Sequence, residues 1–241
     1  SWGALMQAAV LSNTGKVRRE NQDRFLVDAN RGLFVICDGM GGHKAGEVAA
    51  QMAIDVIHGN LVEIDKQHPL TFLTNSIMEA NRSIYNKGRQ SEECADMGTT
   101  ITAAIVRDME LYTAHIGDSS LFLINSDGVE KITRDHTLAE KMLEEGLIDE
   151  NDIIVSRYRH ILTRALGIEE SVEIDCYTNK LRSEDRLFMA TDGVTDLIKP
   201  SEVWETVINE PDLNRALDRL LRLALDRGGY DNLTMILIAL P

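Results

Sequence analysis

The stretch from Gly32 to Glu47, GLFVICDGMGGHKAGE, limits most what this chain can become. Leu33-Phe34-Val35-Ile36-Cys37 is a short apolar run of the kind that forms a buried strand, and it ends at Asp38. Three glycines (Gly39, Gly41, Gly42) follow and let the backbone come close to another group. Apolar residues then recur at Ala45, Val48, Ala49, Met52, Ala53, Val56 and Ile57, the spacing of a helix with one buried face. Strand, glycine turn and helix is also the layout of a nucleotide-binding loop. A Walker loop, however, needs Ser or Thr after Gly-Lys, and here Lys44 follows His43 and precedes Ala45. A dinucleotide fingerprint opened at Gly39 needs a glycine where Lys44 stands. Both fail. An acid at the strand end repels phosphate unless a cation lies between them, so the stretch points to a metal site.

With 241 residues and no linker-like, repetitive or low-complexity tract, the chain reads as one domain over 1–241. Ser1 to Leu5 read as a remnant foreign to the native chain ahead of Met6. The net charge of −14 argues against a general nucleic-acid or anionic-membrane binder and fits a collector of divalent cations. No apolar stretch reaches the length of a membrane span and no signal-peptide layout opens the chain, so a cytoplasmic protein is expected. Cys37, Cys94 and Cys176 are odd in number and widely spaced, which fits a reducing compartment. Cys176 and Arg182 have the spacing of a cysteine-dependent phosphatase loop. The intervening YTNKL has no glycine to wrap backbone N–H groups around a phosphate, so chance explains the pair better.

Strands are expected at Ala4–Leu11, Arg24–Ala29 and Leu33–Cys37, and a long helix over Pro69–Ser91 with Phe72, Leu73, Ile77, Ala80, Ile84 and Tyr85 inward. The short β-rich runs Thr99–Val106, Leu111–Ile116, Leu121–Ile124 and Val129–Thr133 read as an antiparallel meander. Thr137–Glu145 is helical, and Asp149–His160 is irregular and polar. Strands at Val172–Thr178 and Arg186–Ala190 precede helices at Ser201–Ile208 and Leu213–Asp226, and Leu233–Leu240 is the last strand. Strands in blocks with helices in pairs predict an α+β fold, helices covering stacked antiparallel sheets.

Asp38, Asp118 and Asp192 each follow a β-like run, Asp231 sits just before the last strand, and Asp23 opens the second. Carboxylates gathered at one end of a sheet repel one another unless protonated or neutralised. With no Cys or His set nearby, their oxygens suit Mg²⁺ or Mn²⁺. Two such ions about 3.5–4 Å apart would hold a water as hydroxide and clamp a phosphoryl oxygen. Aspartates before glycine are also ordinary turn residues. Asp127-Gly128, between two short β-like runs, is simply a hairpin turn.

In order along the chain stand GKVRRENQD, DGMGGHKAGE, MGTT, HIGDSS, TRDHT, LTRALG, ATDGVTD and GGYDNLT. In these motifs the sequence resembles the metal-dependent protein phosphatases (PPM, the type 2C serine/threonine phosphatases) in their compact bacterial form. The resemblance implies two stacked antiparallel β-sheets flanked by helices. It implies that Asp38 bridges two metals, that the Gly39 carbonyl completes one of them, and that Asp192 and Asp231 hold the other. Asp23 then acts through water, and Asp118 holds a third, weaker ion with Asp196 as helper. Arg18 stands where the family places its phosphate-binding arginine, and a guanidinium fork pairs two phosphoryl oxygens well. His43 matches the histidine of DGMGGH. It is the candidate general acid for the leaving alkoxide, the alternative being a cap on the following helix. Asn232 is expected to orient a ligand or water, and Asp135 and His136 to shape the loop before a helix.

The implied reaction is single-step hydrolysis of phosphoserine and phosphothreonine in proteins. A hydroxide bridging two Mg²⁺ or Mn²⁺ ions attacks phosphorus in line, with no covalent phosphoenzyme. Residues 149–160 correspond to the family's mobile flap. The implied partners are phosphorylated proteins, a bacterial Ser/Thr kinase among them, and a monomer is expected. Two positions depart from the family: Gln22 where many relatives have Glu, and Ser120 where relatives carry arginine. The competing readings are an inactive scaffold of the same fold and a small-phosphoester hydrolase. A scaffold should have lost Asp38, Asp192 or Asp231, and all three are present.

Overall fold

A computed structural model describes residues 6–241. Ala4 and Leu5 of the first expected strand, and the expected foreign remnant, lie outside the described residues. In chain order the elements are β1 (Gln7–Asn13), β2 (Asp23–Asp28), β3 (Leu33–Met40), α1 (Ala45–Gly59), α2 (Pro69–Gln90), β4 (Gly98–Thr99), β5 (Ile101–Arg107), β6 (Glu110–Ile116) and β7 (Ser120–Asn125). They continue as β8 (Gly128–Lys131), α3 (Leu138–Glu144), α4 (Ile154–Tyr158), β9 (Asp175–Lys180), β10 (Arg186–Ala190), α5 (Asp192–Thr195), α6 (Pro200–Asn209), α7 (Leu213–Asp226) and β11 (Leu233–Ala239).

One sheet has the order β1-β11-β10-β7-β8; the other runs β2-β3-β5-β6-β9, with β4 added to the end of β3. All pairings are antiparallel. Strand alternation divides β3 between two cores. Phe34 and Ile36 meet Leu121, Met189, Ile236 and Ile238 between the sheets. Leu33, Val35 and Cys37 face the other way, onto Ala49, Ala53 and Ile57 of α1 and Phe72, Leu73 and Ile77 of α2. On the far side, Leu217 and Leu220 of α7 and Val203 of α6 cover Phe188 and Leu237. The uninterrupted apolar run of β3 is therefore a strand covered on both faces, in a helix–sheet–sheet–helix stack. Each such side chain stabilises the fold by about 1.5–3 kcal/mol relative to exposure.

The long helix matches its expected span almost to the residue, opening with Pro69 and capped by the His68 ring, which accepts from the Leu70 N–H at 3.2 Å. Tyr85 is only partly covered and stacks under the Arg89 guanidinium instead. In α1 the buried stripe is turned from the expected one. Ala50 and Ile54 are inside, and Val48, Met52 and Val56 sit at the margin. Close approach to β3 admits alanines at the centre of the contact and leaves longer side chains at its edge.

The expected meander is corrected. β5 pairs with β6 and β7 with β8, but β6 continues to β9 and β7 to β10, so the chain changes sheets between Ile116 and Ser120. Gly117 makes the crossing. Its φ is +114°, and a Cβ there would lie 2.6 Å from the Thr100 side chain. The Asp127-Gly128 turn joins β7 and β8 as a hairpin, with Asn125 opposite Gly128. Residues 149–160, expected to be irregular, contain the short helix α4.

His115 on β6 is fully buried between the Thr102 hydroxyl (2.9 Å) and the Arg134 carbonyl (2.9 Å). Its Nε2–H donates to the carbonyl, which leaves Nδ1 to accept from the hydroxyl. Burial, and then the neighbouring His136, bring its pKa down from 6.5 to about 3. The unfolded chain takes up this proton first, so the stability His115 contributes is complete above pH 6.5 and declines as pH falls toward 3. Between pH 7.5 and 4.5, urea melts of His115→Gln should show about 2–3 kcal/mol less loss of stability than the parent. Parallel curves would refute this.

Candidate metal centre

Both sheets deliver carboxylates to one end of the sandwich. Asp23 opens β2 directly opposite Asp38 on β3. Asp38 is fixed by Thr100, whose Oγ1 accepts from the Asp38 N–H (3.0 Å) and whose N–H donates to the Asp38 carbonyl (3.0 Å). From the other sheet, β10 ends at Ala190, Thr191 follows as the N-cap of α5, Asp192 opens that helix, and Asp231 precedes β11. Asp118 lies in the crossing between sheets. Carboxylate oxygens of Asp38, Asp118 and Asp192 lie within 4.8 Å of one another, and a second group at the same spacing joins Asp192 to Asp196 and His160. Asp192 is common to both.

The electrostatics follow from this crowding. Asp23 is 3% exposed, and burial is the main reason its pKa rises to about 7. Hydroxyls of Thr234 (2.7 Å) and Thr191 (3.1 Å) donate to its Oδ2 and partly offset that, while the charges of Asp192 and Asp231 add to it. Asp38 keeps some solvent contact, yet desolvation still leads the causes that push it well up, followed by the charges of Asp23 and Asp192. Asp118 is raised by burial and then by Asp192. Asp196 rises to about 6 for the same two reasons, moderated by Arg159 and His160. Asp231 is raised by burial and Asp192, against the Asn232 N–H and Arg18.

These residues fit a hard cation. Oδ1 of Asp23 and Oδ1 of Asp192 are buried and have no hydrogen-bond donor. Acceptor oxygens in that condition are costly unless something positive meets them. The Asp38–Asp118–Asp192 group offers oxygen and no thiolate or imidazole, the donor set of Mg²⁺ and Mn²⁺ rather than of zinc.

Gly39 is buried where β3 meets α1. A Cβ on it would fall 1.9 Å from the Gly46 carbonyl oxygen. Arg18 is exposed and reaches Asp231 (Nε to Oδ1, 3.3 Å). His43 has φ +53° and stands one residue before Lys44, the N-cap of α1. Arg18 and His43 line one cleft of about 450 Å³. Gln22 ties its walls, donating from Nε2 to the His43 carbonyl (3.2 Å). Ser120 is buried opposite Ala190 in the β7–β10 pair.

Asn232 ties the Arg18 loop to the sheet end. Its Nδ2 donates to the Thr14 and Glu20 carbonyls (both 2.9 Å), and its Oδ1 accepts from the Gln22 N–H (2.9 Å). It holds the loop that carries Arg18. His136 likewise does more than shape a loop. Its Nδ1 accepts from the Gly117 N–H (2.9 Å) and its Nε2–H donates to Asp175 (2.8 Å), bracing the crossing that carries Asp118. Sequence reasoning missed Thr191, Thr234 and His160. The threonines differ in nothing from ordinary strand residues, and His160 lay in a stretch without periodicity. On β9 the Cys176 thiol is pushed up by partial desolvation and then by Asp175, unlike an activated nucleophile, and Arg182 pairs with Asp127.

Residues 11–233 match the protein phosphatase 2C family. The chain is 31% identical to the serine/threonine phosphatase stp of Listeria innocua, over 97% of this chain and 95% of that one. Its fold superposes on the Mycobacterium tuberculosis serine/threonine phosphatase PstP/Ppp with a TM-score of 0.88, at 31% identity and 98% of each chain. A second solved structure, the PstP catalytic domain in complex with two manganese ions, superposes at 0.85, with 31% identity over 97% of each chain. A double antiparallel sandwich with its acids at one end defines the class. The chain belongs to the protein phosphatase 2C family.

Proposed function

We propose that this chain, one catalytic domain over 1–241, hydrolyses phosphoserine and phosphothreonine in proteins with two Mn²⁺ or Mg²⁺ ions. The observation that carries this reading is the shared carboxylate cluster with its two donorless buried oxygens. Asp38, the Gly39 carbonyl, Asp192 and Asp231 would hold the core pair, with Asp23 behind them, and Asp118 with Asp196 a third, weaker ion. When bound, the ions neutralise phosphoryl charge and lower the pKa of the attacking water. Arg18 receives the phosphoryl oxygens in its guanidinium fork, aimed by its contact with Asp231 and by the loop that Asn232 holds. His43 gives its proton to the departing serine or threonine oxygen. Residues 149–160 act as the flap, with Arg159 and His160 resting on Asp196 at 3.8 and 3.6 Å.

No helix among the described residues is long and apolar enough to cross a membrane. We place the protein in the bacterial cytoplasm as a monomer opposing a Ser/Thr kinase and its targets. The test is hydrolysis of a phosphothreonine peptide with Mn²⁺, with EDTA, and with Asp38→Ala. Turnover that needs metal and disappears in the variant is expected. A folded parent without metal-dependent turnover would return the inactive-scaffold reading.

A further inference from the structure

The cleft shared by Arg18 and His43 also holds Arg19 and Lys44, against one acid, Glu20. On a chain of net charge −14, this is a local reversal of sign. Arg18 is engaged by Asp231, whereas Arg19 and Lys44 form no ion pair among the described residues. The cleft is also held in shape. Asn232 and the Lys16 N–H, which donates to the Gly229 carbonyl at 2.8 Å, anchor the loop, and Gln22 ties that loop to the glycine turn. Across the turn, beyond Met40, the neighbouring groove carries Asp96, Glu169 and Glu173, with Arg164 bonded to Asp175. A substrate strand laid over the Gly39–Gly42 turn thus meets free cations on one side and acids on the other.

We propose that Arg19 and Lys44 form a subsite for an anionic residue flanking the phosphorylated one, so that the enzyme prefers substrates with negative charge on one side of the target. This rests on the phosphatase reading above. The anion can be a carboxylate or a second phosphoryl group, since both satisfy the same donors.

The test compares phosphothreonine peptides with neutral flanks, with glutamates N-terminal to the target, with glutamates C-terminal to it, and with a second phosphothreonine on each side. One side should raise kcat/KM over the neutral peptide by about three- to tenfold, chiefly through KM. A larger gain for the second phosphothreonine than for glutamate would identify phosphate as the preferred anion. The advantage should shrink in high salt and in Arg19→Ala/Lys44→Ala, and return in Arg19→Lys/Lys44→Arg. Equal rates on all peptides, or an advantage that the alanine pair leaves intact, would overturn the subsite while turnover of the neutral peptide upholds the phosphatase. Failure to turn over any of these peptides would overturn both.

Discussion

Exchanging Asp192 for asparagine is expected to lower metal-dependent kcat/KM by about 10²-fold or more, and at the same time to raise the melting temperature of the metal-free protein. Asp192 is the carboxylate common to both acid groups, and its oxygens lie within 4.8 Å of those of Asp38 and Asp118. Without an ion, acids this close carry the cost of desolvation and mutual repulsion. An asparagine of the same shape carries no charge and donates N–H to both neighbours. Hydrogen bonds to charged groups contribute about 1.5–3 kcal/mol, which for a chain of this size is several degrees. With Mn²⁺ the order should reverse, because the parent gains binding energy that the variant lacks. Activity by peptide hydrolysis and melting by calorimetry, each with and without Mn²⁺, read both effects. A metal-free variant that melts below the parent would show that the cluster is not under electrostatic strain.

Gly39→Ala is expected to cost about 3 kcal/mol or more, or to prevent folding, whereas Gly42→Ala a few residues on should be nearly neutral. A methyl at Gly39 would stand 1.9 Å from the Gly46 carbonyl oxygen and 2.9 Å from that of Gln22, both backbone atoms that cannot swing aside. Relief requires α1 to move off β3, and Asp38 moves with it. At Gly42 nothing lies within 4 Å of an added methyl and the backbone is not left-handed. Urea melts of the two variants decide the matter. Similar stabilities would mean that the β3–α1 approach is softer than the geometry implies.

The two glycines also show where sequence reading stops. In DGMGGH they are equivalent letters, and only the helix packed over the strand separates an obligatory glycine from a replaceable one. Local patterns were legible because their physics is local. The two-sided apolar run of β3, the start of α2 at Pro69, the Asp127-Gly128 hairpin and the acids at strand ends all depend on neighbours a few residues away. The sheet change at Gly117 was not legible, because a short connection between β-like runs reads as a hairpin whether or not the next strand pairs with the last. The same holds for the donors around Asp23. Thr191 and Thr234 are remote in sequence and meet it only because β10 and β11 lie side by side across from β2. Nor could spacing reveal that Asn232 holds the Arg18 loop or that His160 reaches Asp196. By itself the sequence determined which carboxylates exist and that a sheet end would present them. The tertiary structure alone decided which share oxygens within a few ångströms and which lack a donor, because burial and field depend on every element packed around them.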